Sequence, residues 1–160
     1  MYFMVTTPVN RQYDGMWEIQ WAVENCRIIR TRYRGLFLIE AGEEALQLIR
    51  SYDTTAICRV IPLDDLIRAD LTTISERTLS IAEKKLGGGE KFAVRCKRRG
   101  FSVPSMEIER DIGAQIVAAM GNPVDLENPD KVVFIEIIDK KAGIAVLSES
   151  EIVEKEIIDL

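Results

Sequence analysis

VVFIEIIDKKAGIAVL, residues 132–147, consists of two apolar runs with a short charged turn between them. Residues 132–138 are rich in β-branched side chains, which is typical of a strand buried at the centre of a sheet. Residues 139–143 have the composition of a hairpin turn, and residues 144–147 form the returning strand. The C-terminal half of the chain is therefore predicted to contain a β-hairpin with a buried first strand.

Helices and strands alternate in the segments that precede this hairpin. Residues 73–76, TISE, form a capping box, which predicts the start of a helix. A strand follows over residues 92–97, and Ser105 is predicted to cap a helix over residues 106–120 whose C-cap is Gly121. The order α-β-α-β-β indicates an α/β domain, for which we expect a mixed sheet.

The N-terminal half has a different order of elements. Its strands are predicted over residues 2–7, 27–32, 36–40 and 56–61, and its helices over residues 15–25 (capped by Asp14) and 41–51. This β-α-β-β-α-β order is the ferredoxin-like arrangement, in which two helices cover one face of an antiparallel sheet. The chain is therefore predicted to be α+β, with a ferredoxin-like domain at residues 1–68, the α/β domain at residues 69–148 and an acidic C-terminal tail at residues 149–160.

Two tryptophans lie in the first predicted helix. Trp17 and Trp21 are four residues apart and therefore share one face of that helix. Large aromatic side chains at this spacing, in a half with little other bulk, favour burial in the core. A stacking platform on the surface is the alternative.

Composition limits the class of protein. The chain has 160 residues, 47% apolar and 29% charged, as in soluble globular proteins. No run approaches the roughly 18 apolar residues of a membrane span, and the N-terminus lacks the features of a secretory signal. Three cysteines without a CxxC pair suit free thiols in a reducing cytoplasm. Histidine is absent, and neither a nucleophile elbow nor a phosphate-binding loop is found, so we expect a cytoplasmic non-enzyme without cofactor or metal.

Basic residues are concentrated in two segments of a chain whose formal net charge is −5. Residues 27–34, RIIRTRYR, contain four Arg and no acid. Residues 84–100, KKLGGGEKFAVRCKRRG, contain seven Lys or Arg and one acid. Such segregation indicates a surface that attracts a polyanion, and the polyanion we expect is RNA.

The second basic segment contains a predicted strand with one cationic face. Arg95, Lys97 and Arg99 share that face because side chains alternate along a strand. Arg98 and Arg99 lead into a loop of Gly and Ser, where backbone N–H groups can meet phosphate. A solvated strand face is the alternative, but four cations in residues 95–99 favour phosphate contact.

The first basic segment places arginines around a tyrosine. Arg30, Arg32 and Arg34 can pair with phosphates, and Tyr33 can stack on an unpaired base, so all four are candidate RNA contacts. A hairpin tip kept soluble by arginine explains the pattern equally well.

Three ordered segments of the C-terminal half resemble the THUMP domain of RNA-modification proteins. They are KFAVRCKRRGF, SMEIERDIGAQIV and VDLENPDKVVFIEII. The first half is similar to the N-terminal ferredoxin-like domain that accompanies THUMP, with TRYRG as its best local match.

The resemblance implies binding to the acceptor region and 3′ end of tRNA, and it adds Arg110 to the candidate contacts of the THUMP half. The chain is similar to stand-alone THUMP proteins that present tRNA to an RNA cytidine acetyltransferase. The expected role is thus a non-catalytic tRNA adaptor. Its expected partners are tRNA and an RNA acetyltransferase or another tRNA-modifying enzyme, with no membrane or DNA partner.

A protein-interaction module is the alternative from another class. The ferredoxin-like half would then dimerise or dock through its sheet edges, without a direct role in RNA binding. A small enzyme with an unrecognised site is a third reading. The acidic tail is a candidate contact for an enzyme partner.

Overall fold

The computed structural model describes residues 1–159 and contains two compact units. Unit 1 comprises Met1–Leu63 and the chain from Glu151 onward, and unit 2 comprises Asp64–Ser150. Short 3₁₀ helices lie at Val9–Arg11 and Glu149–Glu151. The other elements, in chain order, are β1 (Tyr2–Thr6), α1 (Gln12–Ala22), β2 (Arg27–Arg30), β3 (Leu36–Glu40), α2 (Ala45–Ser51), β4 (Arg59–Leu63), β5 (Asp65–Arg68), α3 (Leu71–Lys85), β6 (Phe92–Arg99), α4 (Ser105–Met120), β7 (Lys131–Ile138), β8 (Lys141–Leu147) and β9 (Val153–Glu154).

Unit 1 is an antiparallel sheet in the order β2-β3-β1-β4-β9. Alternate residues of its strands, such as Val5 and Phe37, share one face with the period of two that a strand imposes. They pack against Ile19 of α1 and Ile49 of α2 in one apolar cluster. The predicted β-α-β-β-α-β order of the N-terminal half is confirmed.

The C-terminal segment adds a strand to unit 1. β9 pairs antiparallel with β4, and Val153 is buried in the same core as Ile19. The N–H of Lys155 donates to the carbonyl of Cys58 at 2.9 Å, and the Arg11 guanidinium donates to the carbonyl of Ile158 at 2.7 Å. The segment predicted as a separate acidic tail is therefore packed into unit 1, because Val153 enters the apolar core and its strand pairs with β4.

Unit 2 is a mixed sheet in the order β5-β8-β7-β6, as predicted for the α/β domain. β6 and β7 run parallel, and the remaining pairs are antiparallel. Helices α3 and α4 cover one face, where Ile81, Ile112 and Ile135 meet in a second apolar cluster. The α+β fold class is confirmed.

The predicted connection between the two halves contains a strand that the sequence did not indicate. β5 pairs with β8, so residues 65–68 lie in unit 2 rather than in the first domain. The strand is short, sits at the sheet edge and follows Pro62 and Asp64. Residues of these types are typical of turns, so the sequence of this segment predicted a loop instead of a strand.

Three predicted helix N-caps are wrong, those at Asp14, Thr73 and Ser105. Asp14 lies inside α1. Helix α3 is capped by Asp70 rather than by Thr73. The Asp70 carboxylate accepts hydrogen bonds from the N–H of Thr73 at 3.1 Å and from the Thr73 hydroxyl at 2.6 Å. These bonds, that of the hydroxyl first, lower the pKa of Asp70. Ser105 is the first residue of α4 and caps nothing, whereas Gly121 is the predicted C-cap with φ 75°.

Candidate nucleic-acid interface

β6 is an edge strand with one cationic and one apolar face. Val94 and Cys96 are buried beneath α4, and each is 7% exposed. The neighbouring residues Arg95 and Lys97 are exposed on the opposite face of the strand. The alternation follows from the period of two along a strand. No hydrogen bond or ion pair with residues 1–159 is found for either cation, so both are available to a ligand.

Arg98 and Arg99 at the end of the same strand have partners. The Arg98 guanidinium donates to the carbonyl of Phe101 at 2.7 Å. Arg99 donates to the carboxylate of Glu136 at 3.2 Å, and Glu136 is only 4% exposed. A buried carboxylate requires a cation or hydrogen bonds, so Arg99 serves the stability of unit 2. Of the four predicted cations, Arg99 is thus the one paired with a carboxylate, whereas Arg98 remains exposed and keeps its charge.

Sequence reasoning missed a further group of cations. In the strand pairing, Arg99 of β6 lies opposite Ile138 of β7, which lies opposite Lys141 of β8. Lys141 in turn lies opposite Arg68 of β5, so the four residues form one row across the sheet. Residues of one row point to the same side, so Lys141 and Arg68 share the face of Arg95 and Lys97. We call the exposed residues Arg68, Lys140 and Lys141 the basic rim. The Lys140-Lys141 pair in the hairpin was its only signal in the sequence.

Arg110 lies apart from these cations. It is exposed on α4, which packs on the sheet face opposite to that of Arg95 and Lys97. Its guanidinium lies 3.8 Å from the sulfur of Met106. Both line a groove of about 700 Å³, whose apolar lining includes the exposed residues Met106, Val117, Val124 and Leu126. The structure thus does not bring Arg110 onto the cationic face of β6.

In unit 1 the predicted basic residues lie at the turn between β2 and β3. The guanidinium of Arg30 lies 5.1 Å from the ring centroid of Tyr13, and that of Arg32 lies 5.1 Å from the ring centroid of Tyr33. Arg32 also donates to the Tyr33 hydroxyl at 3.0 Å. Arg34 is exposed next to them. The structure brings these four predicted residues together and adds Tyr13 of α1.

Gly35 holds this turn against α1. Its N–H donates to the side-chain carbonyl of Gln12 at 2.7 Å, and its φ is 79°. A Cβ at this position would lie 2.7 Å from the carbonyl oxygen of Thr7. Only glycine fits both the positive φ and this close approach, so the turn is fixed next to the start of α1.

The prediction that the tryptophans are buried is wrong. Trp17 is 57% and Trp21 is 62% exposed, with ring centroids 5.9 Å apart. Gly15 determines which side of α1 faces inward, because a Cβ there would lie 2.5 Å from the Thr7 methyl group. With Gly15, Met16 and Ile19 against the sheet, the tryptophans are turned to solvent.

The cysteines show no activation. All three are free, and burial raises the pKa of the Cys96 thiol from 9.0 to about 11. Desolvation also raises the pKa of Cys26 and Cys58. A neutral thiol is a poor nucleophile and a poor metal ligand. Among residues 1–159 no cluster of three or more potential metal ligands is present, and no helix has the length and apolarity to span a membrane.

Comparison with known proteins identifies relatives of this chain and solved structures with a similar fold. A "Probable tRNA sulfurtransferase" of Clostridium kluyveri is 36% identical over 103 residues, which are 64% of this chain and 26% of that protein. PH1313 from Pyrococcus horikoshii Ot3 superposes with a TM-score of 0.72 at 22% identity, over 96% of this chain and 55% of that one. A 4-thiouridine synthetase, solved as an RNA complex with bound ATP, gives a TM-score of 0.70 at 20% identity, over 96% and 41% of the two chains.

The two solved structures share the fold with this chain, and the chain spans about a quarter of the length of the Clostridium relative. The match to a family is specific to unit 2. Residues 68–147, half of the sequence, match the THUMP domain, and they run from the last residue of β5 through α3 to the end of β8. The chain therefore belongs to the THUMP domain family.

Proposed function

We propose that this protein binds tRNA and takes part in tRNA modification. The observation that carries the proposal is the pair of exposed cations on β6, Arg95 and Lys97, on the same sheet face as Lys141 and Arg68. Their spacing on a rigid strand suits a phosphate backbone, to which most protein–nucleic acid contacts are made. The names of its relatives, a tRNA sulfurtransferase and a 4-thiouridine synthetase in complex with RNA, support tRNA as the ligand.

The proposed role is to hold tRNA, by its acceptor region and 3′ end, for a catalytic domain or a separate enzyme in the cytoplasm. The neutral thiols are consistent with a role in binding rather than in catalysis. The resemblance to stand-alone THUMP proteins implied an RNA cytidine acetyltransferase as the enzyme served. The relatives' names favour sulfur transfer instead, so both enzyme classes are candidates for a direct binding measurement.

A protein-docking function is the second candidate, and the apolar groove along α4 favours it. Exposed Met106, Val117 and Leu126 beside Arg110 would suit an apolar segment of a partner protein. This surface lies in unit 2, whereas the docking predicted from sequence used the ferredoxin-like half.

The test is tRNA binding by charge-reversed variants at several salt concentrations. Lys97→Glu is compared with Lys84→Glu, which makes the same charge change at an exposed position of α3. The double variant Arg95→Glu/Lys97→Glu follows. Arg99 is left intact, because its replacement would deprive buried Glu136 of an ion-pair partner and confuse a loss of binding with a loss of stability.

We expect Lys97→Glu to weaken tRNA binding about tenfold and Lys84→Glu to have little effect. The double variant should also reduce the slope of log affinity against log salt concentration by about two, one for each lost phosphate contact. Equal effects of Lys84→Glu and Lys97→Glu would mean that only net charge matters. Absence of salt-dependent tRNA binding by the unmodified protein would refute the proposal.

A further inference from the structure

We propose that Tyr13, Trp17 and Trp21 form a platform on which unpaired bases of the bound RNA stack. We call these three residues the aromatic stripe. The inference rests on the proposed function, because it assigns to unit 1 the recognition of single-stranded nucleotides in the same RNA. It concerns residues that neither the family match nor the basic segments include.

The stripe lies along one side of α1 and is exposed. Residues 13, 17 and 21 follow each other at intervals of four, so they lie in line along one side of α1. Tyr13 is 61% exposed, similar to the two tryptophans. A row of three large aromatic side chains in water is unfavourable for an isolated domain, and exposed apolar patches of this kind mark binding surfaces.

The geometry of the rings suits an extended single strand. The centroids of Trp17 and Trp21 are 5.9 Å apart and the ring planes are inclined by 46°. The rise between stacked bases in a duplex is about 3.4 Å, so neighbouring bases must separate to occupy one ring each. Unpaired RNA can splay its bases in this way, whereas paired bases keep their faces covered.

Charge at one end of the stripe indicates an anionic ligand. Arg30 lies over the Tyr13 ring, and Arg32 and Arg34 follow in the same turn. An aromatic row that continues into arginines complements a chain of apolar base faces joined by phosphates, which is the usual design of single-strand binding surfaces. An apolar helix of a partner protein would leave these cations without counter-charges.

Acidic side chains near the stripe have structural partners. The Asp14 carboxylate pairs with Arg11 at 3.2 Å. The Glu18 carboxylate is buried and accepts from the N–H groups of Thr55 at 2.7 Å and Ala56 at 2.9 Å. Glu24 beyond Trp21 is exposed and would repel a phosphate, whereas at the other end Arg11 and Arg30 offset the exposed carboxylate of Asp14. The polarity of the stripe therefore places phosphates at the Tyr13 end.

The same contacts hold the platform rigid. Glu18 ties the middle of α1 to residues 55–56, and Arg11 donates to the Thr55 carbonyl at 3.1 Å from the start of the helix. Rings on an anchored helix lose little freedom when a base stacks on them, which favours affinity.

Tryptophan fluorescence gives a direct test, since both tryptophans of the chain belong to the stripe. The protein is titrated with a short oligoadenylate and with a blunt RNA duplex of equal charge. A base stacked on indole should quench the emission, so quenching is expected with the oligoadenylate and not with the duplex. Trp17→Ala and Trp21→Ala should each weaken oligoadenylate binding about tenfold, while Trp17→Phe should retain most of the affinity. Met106→Ala, an equally exposed apolar position in unit 2, is the control.

Oligoadenylate affinity that is unchanged in Trp17→Ala/Trp21→Ala would overturn the platform. If tRNA binding in that variant is also normal but still falls with Lys97→Glu, the proposed function stands and only this inference is wrong. Loss of a dimer in the double alanine variant, without a change in RNA affinity, would identify the stripe as a protein contact and equally overturn it. No RNA binding by the unmodified protein would remove both proposals.

Discussion

The two units hold their cations in different surroundings. In unit 1 the guanidinium of Arg30 lies over the ring of Tyr13, and that of Arg32 lies over the ring of Tyr33. Both arginines are next to the turn whose conformation requires Gly35. In unit 2 Arg95 and Lys97 stand on a strand, and the nearby Arg99 pairs with a buried carboxylate. Aromatic rings add a surface for base faces, whereas bare cations contact phosphates alone. We therefore expect unit 1 to distinguish unpaired from paired RNA and unit 2 to supply the salt-dependent part of the affinity.

The largest expected contrast between the units is in thiol reactivity. Cys96 lies beneath α4 with a pKa of about 11, against 9.0 for an ordinary thiol, so its thiolate fraction at pH 8 is about a hundredfold lower. Its alkylation by iodoacetamide, followed by mass spectrometry, should be slower than that of half-buried Cys26 and Cys58 in unit 1 and should accelerate as the pH approaches 11. Fast labelling of Cys96 at pH 8 would show that unit 2 opens more readily than unit 1.

Reversal of the basic rim should produce the next largest effect. Lys140→Glu/Lys141→Glu is expected to lower tRNA affinity about a hundredfold and to decrease the salt slope by about two. Alanine variants of the aromatic stripe should leave that slope unchanged, because bases carry no charge. The measurement is filter binding over a range of salt concentrations. Equal slopes for the rim variant and the unmodified protein would place the phosphate contacts elsewhere.

Removal of Arg99 should affect stability more than binding. Arg99→Ala deprives buried Glu136 of a charged hydrogen bond, which should lower the free energy of unfolding by about 2 kcal/mol. Lys97→Ala on the same face is the control, with an expected change below ~0.5 kcal/mol. Urea denaturation measures both, and adding Glu136→Gln to Arg99→Ala should restore part of the loss. A stability loss in Lys97→Ala as large as that in Arg99→Ala would contradict the division of roles between these cations.

The smallest expected effect belongs to Arg30. Arg30→Ala removes an exposed cation–π contact and a phosphate partner, so oligoadenylate affinity should fall about fivefold. Duplex RNA, which does not use the stripe, should be bound almost as before. Fluorescence titration with both ligands measures the two affinities. A larger loss for the duplex than for the oligoadenylate would show that the turn between β2 and β3 recognises phosphates alone.

Much of the fold could be predicted because local patterns agreed with the final packing. The apolar run of β7 predicted a strand, and the glycine at the end of α4 predicted the end of a helix. Neither prediction needed information about the elements that pack against them. β5 could not be found, since a four-residue edge strand owes its conformation to pairing with β8. The pairing of β9 with β4 likewise depends on a contact between distant parts of the chain.

The candidate site could be predicted only where a single element carries it. The shared face of Arg95 and Lys97 is a property of one strand, and both side chains are exposed there as the alternation predicted. The orientation of α1 could not be predicted from sequence, because Met16 and Ile19 form an apolar face as plausible as that of the two tryptophans. The close approach of Gly15 to Thr7, which only the structure shows, decides between the two faces. The rim joins residues from two strands and a turn, so it becomes visible only in the sheet register.

The position of β9 has a consequence for biosynthesis. Val153 completes a sheet whose other strands are translated before any part of unit 2, and at ribosomal rates the delay is on the order of 10 s. During that time the edge of β4 at Val60 has no partner strand, and unpaired edges of this kind are prone to association with other chains. Unit 2 is contiguous and has all four of its strands once Ser150 has been added. Unit 1 therefore waits for the synthesis of all of unit 2 before its sheet can be completed, and the nascent N-terminal unit would benefit from chaperone protection until Val153 emerges.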